Sequence, residues 1–179
     1  FSAFLLVPRL VKFYEKRSIL LFSISFAALV PPIPIFLYIY EMLPSSGSWN
    51  LFFALTPFIY FANTCLSSSA IIRESMLGDI SDEVELESNL GQQGLMYASS
   101  SLIGKLNTGL GILVAGLALE FIGFPQGSEV TPNADQIFNL AMIQGPFVAL
   151  LMIIPFGIFS FYAIDREKHQ KILTKLEVR

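Results

Sequence analysis

The chain has 179 residues, of which 54% are hydrophobic and only 14% charged, with a mean hydropathy of +0.63. Soluble domains carry about 25% charged residues, so a soluble enzyme is excluded, and a net charge of −3 gives no reason to expect a nucleic-acid partner. The single cysteine, Cys65, lies in an apolar run and excludes an internal disulfide.

Residues 1–7 are apolar from the first position, with no charged segment ahead of them. They read as the stub of a helix rather than as a signal peptide. A spanning helix needs about 20 mainly apolar residues, and four stretches qualify: 19–40, 51–72, 95–124 and 137–164. Pro31, Pro32 and Pro34 fall in the first span, and Pro146 and Pro155 in the fourth. In lipid such prolines are tolerated as kinks. Residues 165–179 form a polar tail. The one histidine, His169, lies there and reads as solvated rather than as a metal ligand.

The connections alternate in charge. Arg9, Lys12, Lys16 and Arg17 follow the stub, Arg73 follows the second span, and Arg166, Lys168, Lys171, Lys175 and Arg179 occupy the tail. The intervening connections carry no lysine or arginine. This pattern puts the basic segments and the carboxyl terminus in the cytoplasm. Trp49, Tyr38 and Tyr40 flank an outer loop, where aromatic anchors are expected.

Residues 73–94 read as an acidic loop, with Glu74, Asp79, Asp82, Glu83, Glu85 and Glu87 against Arg73. Such a loop is either merely solvated or a cytoplasmic gate, in which Asp79, Asp82, Glu83 and Arg73 bridge helix ends. In the second span Tyr60, Asn63, Thr64 and Ser67 share a face, and the amide of Asn63 is expected to turn away from lipid.

The eleventh basic residue, Lys105, stands inside the third span. A charge at that depth costs a few kcal/mol and marks either a transport path or a buried ion pair. Tyr97, Ser101, Lys105 and Thr108 project onto one stripe at helical spacing. A ring, two hydroxyls and an ammonium suit a polar cavity; the alternative is hydroxyls bonded back to their own helix and a structural pair for Lys105. Gly104 and Gly111, with Ala115 and Ala118, form a neighbouring stripe of small residues suited to close helix packing.

The run Ser75-Met-Leu-Gly-Asp79-Ile-Ser-Asp82-Glu-Val-Glu85-Leu, then Gly94-Leu-Met-Tyr97, then Lys105, resembles the stretch joining spans ten and eleven of the glycoside-pentoside-hexuronide:cation symporters. These are the melibiose-permease-like branch of the major facilitator superfamily. The tail from Tyr162, with Asp165-Arg-Glu and His169-x-x-Ile, is similar to that family's end. Where the family usually carries Thr-Gly, an arginine pair and a glutamate, this chain reads Ser88-Asn-Leu-Gly91-Gln92-Gln93, so no basic pair answers the acidic segment there.

The resemblance implies an all-α membrane protein. It would be a partial major facilitator bundle, the carboxyl half, with four complete spans plus a stub. It implies cation-coupled symport of a sugar or glycoside by alternating access, with sodium or protons bound mainly by an amino half of the same transporter. It implies a multi-pass protein of the plasma (inner) membrane whose partners are the lipid bilayer, that amino half and a small-molecule substrate. Alternatives are a transporter of a lipid or drug-like solute, and a non-transporting scaffold with Lys105 in a structural ion pair. No catalytic residue, metal or other cofactor is expected, since no P-loop, Cys-x-x-Cys or His-Glu-x-x-His occurs.

The charge alternation makes a direct prediction. A cysteine at Asn133 should react from outside intact cells with a membrane-impermeant maleimide, and one at His169 should react only after permeabilisation. Labelling of both in intact cells would refute the topology.

Overall fold

The computed structural model describes residues 2–44, 48–125 and 132–177. It is 84% helical, without strands among the described residues. Phe1 of the stub, residues 45–47 and 126–131 and the last two tail residues lie outside that set. In chain order the helices are α1 (Ser2–Phe13), α2 (Lys16–Leu29), α3 (Pro32–Ile39), α4 (Trp49–Ser88) and α5 (Gln93–Phe121). Then come α6 (Ala134–Met142), a π-helical turn (Ile143–Phe147), α7 (Val148–Leu151), α8 (Ile153–Ser160) and the tail helix α9 (Arg166–Glu177). Four segments are long and apolar enough to cross a membrane: Lys16–Ile39, Trp49–Ser88, Gln93–Phe121 and Ala134–Ser160. The four spans read from the sequence are therefore present, with shifted ends.

The largest shift corrects the acidic loop. Residues 73–88 are not a loop but the last turns of α4, which runs unbroken for 40 residues. At 1.5 Å per residue α4 is about 60 Å long, roughly twice the hydrocarbon thickness of a bilayer. Charge ended the apolar run at Ile72, but Glu, Met, Leu and Arg are all good helix formers, so the helix continues into water. It stops at Asn89, whose φ of 58° places it in the left-handed region that asparagine tolerates as a helix terminator. At the other end the Ser48 hydroxyl accepts from the Leu51 backbone N–H at 3.2 Å, a conventional N-cap.

Prolines explain the break in the first span. Pro31 caps α3, Pro32 opens it, and Pro34 follows within its first turn. These positions have no helical acceptor for an N–H, so proline costs little there. Pro155 sits similarly early in α8, whereas Pro146 falls within the π-helical turn. The two interruptions meet. Gly145 is buried against α3, and a Cβ added to it would collide with Ile35 Cδ1 and lie 3.5 Å from Pro32 Cα.

The core lies at the charged end of the bundle. Val7 of α1, Ile19, Leu20 and Ile24 of α2, and Ile72 and Met76 of α4 form one buried cluster, with Met152, Phe159 and Tyr162 against it. Leu20 and Ile72 are almost wholly enclosed. Between helices in lipid there is little gain from leaving water, so this cluster is held by close packing. The C-terminal end of α5 and the N-terminal end of α6 are joined by Gln136. Its amide donates to the Gly123 carbonyl, and it forms a capping box with Asn133.

The close approach at Gly145 predicts a graded response. Gly145→Ala displaces only the end of the Ile35 side chain and should cost under about 1 kcal/mol, whereas Gly145→Val should cost the overpacking penalty of about 1–3 kcal/mol. Thermal unfolding in detergent would check this, and equal midpoints for the two variants would contradict it.

Candidate functional site

The water-side end of α4 carries a buried acid. Asp79 is only 5% exposed, and a carboxylate so enclosed must be paired or hydrogen-bonded. Lys16 Nζ donates to both of its oxygens, at 2.6 and 2.7 Å. Lys16 is the first residue of α2, where the helix dipole disfavours a cation, so Asp79 compensates a charge that the local structure alone would reject. The Tyr162 hydroxyl donates to Asp79 Oδ2 at 3.2 Å. Burial raises the Tyr162 phenol above its ordinary range, and the charge of Asp79 adds to the effect. Tyr162 therefore remains a neutral donor throughout the physiological range, and the bond would fail only when alkali removes the proton.

The tail completes the junction. His169 Nε2 lies 3.1 Å from Asp82 Oδ2 and 3.4 Å from Asp79 Oδ1. Lys168 Nζ meets Glu83 Oε1 at 2.6 Å. The Arg166 guanidinium donates to the Val11, Lys12 and Tyr14 carbonyls at the end of α1, which have no helical partner there. The Asp165 carboxylate caps α9 by accepting from the Lys168 backbone N–H at 2.7 Å. Arg17 donates to the Ser160 carbonyl at the end of α8. Ends of α1, α2, α4, α8 and α9 are thus tied at one place.

These contacts correct two expectations. His169 is not simply solvated: its side chain is 23% exposed and sits between two acids. Arg73 does not join Asp79, Asp82 and Glu83. Its partner is Glu74 at 3.6 Å, both well exposed. The cations that answer the acidic segment are Lys16 and Lys168, distant in sequence, and they stand where no arginine pair is available after Ser88.

A cleft of about 1020 Å³ lies between α4 and α5, open on one side. Tyr97, Ser101, Gly104 and Asn107 of α5 line it opposite Met76, Leu77 and Ile80 of α4, with Phe159 and Tyr162 at one wall and Arg73 at another. The Tyr97 hydroxyl rests over Gly78, where a Cβ would stand 3.3 Å from it. The predicted stripe is therefore divided. Tyr97 and Ser101 border the cleft, but Lys105 and Thr108 do not. Lys105 is exposed, with no acid within 4.0 Å among the described residues. Thr108 bonds back to the Gly104 carbonyl at 3.0 Å. In α4, Asn63 and Thr64 bond back to the Ile59 and Tyr60 carbonyls, both at 2.8 Å, and Tyr60 is exposed. One N–H of the Asn63 amide is thus bonded within its own helix, on an exposed face. Nothing among the described residues packs within 4 Å of a side chain added at Gly104 or Gly111.

The model of the family described as MFS/sugar transport protein matches residues 1–166. The chain belongs to that family. It is similar to an uncharacterized symporter of Synechocystis sp., 28% identical over 123 residues, which is 66% of this chain and 23% of that protein. It is also similar to a sphingosine-1-phosphate transporter of Xenopus tropicalis, 25% identical over 115 residues, 63% of this chain and 22% of that protein. The matches thus span about a quarter of the length of these curated relatives. No solved structure matches. Family and relatives point to transporters rather than enzymes, and with four apolar spans the chain is an integral membrane protein in contact with lipid.

The junction is a network of ion pairs and charged hydrogen bonds centred on Asp79. Removing one partner of a buried pair costs about 3–5 kcal/mol. Asp79→Ala should fall at the lower end, since the Lys16 side chain is 24% exposed and can turn to water. Adding Lys16→Met should recover part of the loss through coupling of the two sites. Unfolding midpoints in detergent measure this cycle, and strictly additive losses would sink the pairing.

Proposed function

We propose that this chain is the carboxyl portion of a secondary active transporter, which moves a sugar or glycoside with sodium or protons by alternating access. The observation that carries the reading is the combination of an ion-paired lock at the charged end and a cleft beside it that offers hydroxyls, an amide and an aromatic ring. Tyr97 supplies a face for a sugar ring to pack against, and Ser101 and Asn107 supply hydrogen-bond partners for its hydroxyls. Lys105, one turn from Ser101 on the same helix, supplies three donors to the path beyond the cleft. Tyr60, Asn63 and Thr64 present further polar groups on α4. The coupling ion is carried mainly by the amino half of the transporter. Asp79, Asp82 and Glu83 close the cytoplasmic side and part when the substrate site opens inward, with Arg73 at the rim. The protein resides in the plasma membrane with its tail in the cytoplasm.

A second reading has its own support. The α4 wall of the cleft, Met76, Leu77 and Ile80, is apolar, and one relative is named for transport of a phosphorylated amphiphile. A single-chain lipid with a charged head would lay its tail on that wall and its head toward Arg73.

Uptake into proteoliposomes separates the two. Under a sodium or proton gradient, labelled glycosides should accumulate and labelled single-chain phospholipid should not; the reverse result overturns the sugar reading. Lys105→Ala should lose at least about tenfold of the coupled uptake, the equivalent of roughly 1.4 kcal/mol. Lys105→Arg, which keeps charge but changes donor geometry, should insert normally and transport poorly. Parental uptake by Lys105→Ala at equal abundance would remove Lys105 from the path.

A further inference from the structure

The first and fourth spans are both interrupted, and covalent structure alone sets what the first interruption loses. A helical carbonyl accepts from the N–H four residues on, or three or five on where the winding tightens or widens. The Ala27 carbonyl meets Pro31 and Pro32 at four and five, and neither has an N–H. At three stands Val30, whose N–H is given to the Phe26 carbonyl at 3.0 Å. The Ala28 carbonyl meets Pro31, Pro32 and Ile33 in turn, and the Leu29 carbonyl meets Pro32, Ile33 and Pro34. The Ile33 N–H is given to the Val30 carbonyl at 3.1 Å. Ala27, Ala28 and Leu29 are thus left with no free helical donor, and the backbone ladder is depleted over a full turn between α2 and α3.

The fourth span is cut into short pieces. α6 ends in the π-helical turn Ile143–Phe147, which carries Pro146, and α7 has only four residues. A turn at Met152 precedes α8, whose Pro155 removes the donor that the Leu151 carbonyl would use. α5, by contrast, runs for 29 residues without a proline.

The two breaks touch, and the pieces pair off by their distance from Asp79. Gly145 of the π-helical turn lies against Pro32, whose Cα would be 3.5 Å from a Cβ placed there. α3 packs on the π-helical turn, whereas α2 packs on α7 and α8. The near pieces are well anchored. Ile19, Leu20 and Ile24 of α2 belong to the buried cluster, and Phe159 of α8 packs against it. The far pieces are held lightly: Pro32 is the one buried residue of α3, and α6 has none, among the described residues. Sparse burial marks segments that open readily, and prolines and π-helical turns are the usual seats of sharp helix bends.

We propose that the turns at 30–34 and 143–147 form one compound hinge, about which α3 and α6 swing together while α2 and α8 stay with the core. Bending an intact helix breaks backbone bonds. Bending here breaks few, because the bonds of that turn are already missing. Stability alone favours residues that close them, since open carbonyls at bilayer depth are costly. The absent side chain at Gly145 lets the two joints meet at close range, so a tilt of one far piece is passed to the other. The motion opens and closes the end of the bundle away from Asp79. It leaves the Lys16–Asp79 pair in place, because α2 is anchored on the near side of its break. The two ends of the bundle can therefore move separately, whatever solute the protein carries.

The hinge can be read without a transport assay. Pairs of spin labels are placed in a Cys65→Ser background and the protein is reconstituted in lipid vesicles. Phe22→Cys with Tyr38→Cys crosses the first break, Ile137→Cys with Ile153→Cys crosses the second, and Ile103→Cys with Leu119→Cys lies on unbroken α5. All six positions are exposed, and each pair is 16 positions apart, about 24 Å in a straight helix. The distance distributions across the breaks should be at least about twice as wide as that on α5. Replacing Pro31→Ala, Pro32→Ala and Pro34→Ala together restores the missing donors and should narrow the 22–38 distribution to the α5 width. It should narrow the 137–153 distribution as well, although no residue of that span is changed. Should the triple variant fail to insert, Pro146→Ala makes the reciprocal test and should narrow both. Parent distributions as narrow as that on α5 overturn the proposal without either variant. So does an inserted variant that leaves both widths unchanged, or one that narrows its own span alone.

Discussion

A carboxylate shielded from water must be answered by whatever surrounds it, and Asp79 shows how far such a demand reaches. Its two oxygens fix Lys16, which starts α2 at the helix end least suited to a cation. They also fix the Tyr162 hydroxyl, which sets the exit of the chain from α8, and help to fix His169, which sets the angle of the tail. The apolar cluster of Leu20, Ile72 and Met76 packs in register because those helix ends are already pinned. In lipid, where apolar side chains gain little by meeting one another rather than acyl chains, a directional polar junction can choose one arrangement among many of nearly equal packing.

The number of spans was legible because hydropathy over about 20 residues is a strong signal, and the proline breaks were legible because proline lacks an N–H. The fate of the acidic segment was not. Hydropathy marks where a helix leaves the bilayer, whereas helix propensity and a terminator such as Asn89 mark where it ends, and the two positions differ by 16 residues between Ile72 and Ser88. The partners of Asp79 and Asp82 were also hidden. Lys16 and His169 lie 63 and 87–90 positions away, respectively, in the chain, and only the folded bundle brings them together. One signal was available: a tail with Asp165, Arg166 and a histidine at helical spacing has the charge pattern of a docked helix rather than of a free end. The stripe of Tyr97, Ser101, Lys105 and Thr108 was legible only as a face, since periodicity places residues on one side of α5 but does not say which part of it meets α4.

α5 has no buried residue among those described, and its main packing is against α4 near the charged end. Its glycines at 104, 109, 111 and 116 face open space. A helix with that many small residues and one ammonium is poorly matched to bare lipid. It is better matched to a packed surface that approaches closely and offers Lys105 a polar environment.

The unbroken length of α4 has a mechanical consequence. Its internal proline, Pro57, lies near the N-terminal end, and no break separates the part long and apolar enough to cross a bilayer from the part that carries Asp79, Asp82 and Glu83. The two parts form one continuous rod, packed at Ile72 into the buried core. From there the water-side arm extends about 24 Å at the standard rise per residue. A rocking of about 10° in the membrane would therefore swing the far end of that arm by about 4 Å, and the acids nearer Ile72 by proportionally less. Hydrogen bonds of 2.6 to 3.2 Å do not survive movements of a few ångströms. An unbroken helix thus carries any tilt of its apolar part, without a hinge, straight to the side chains that make the ionic contacts at its charged end.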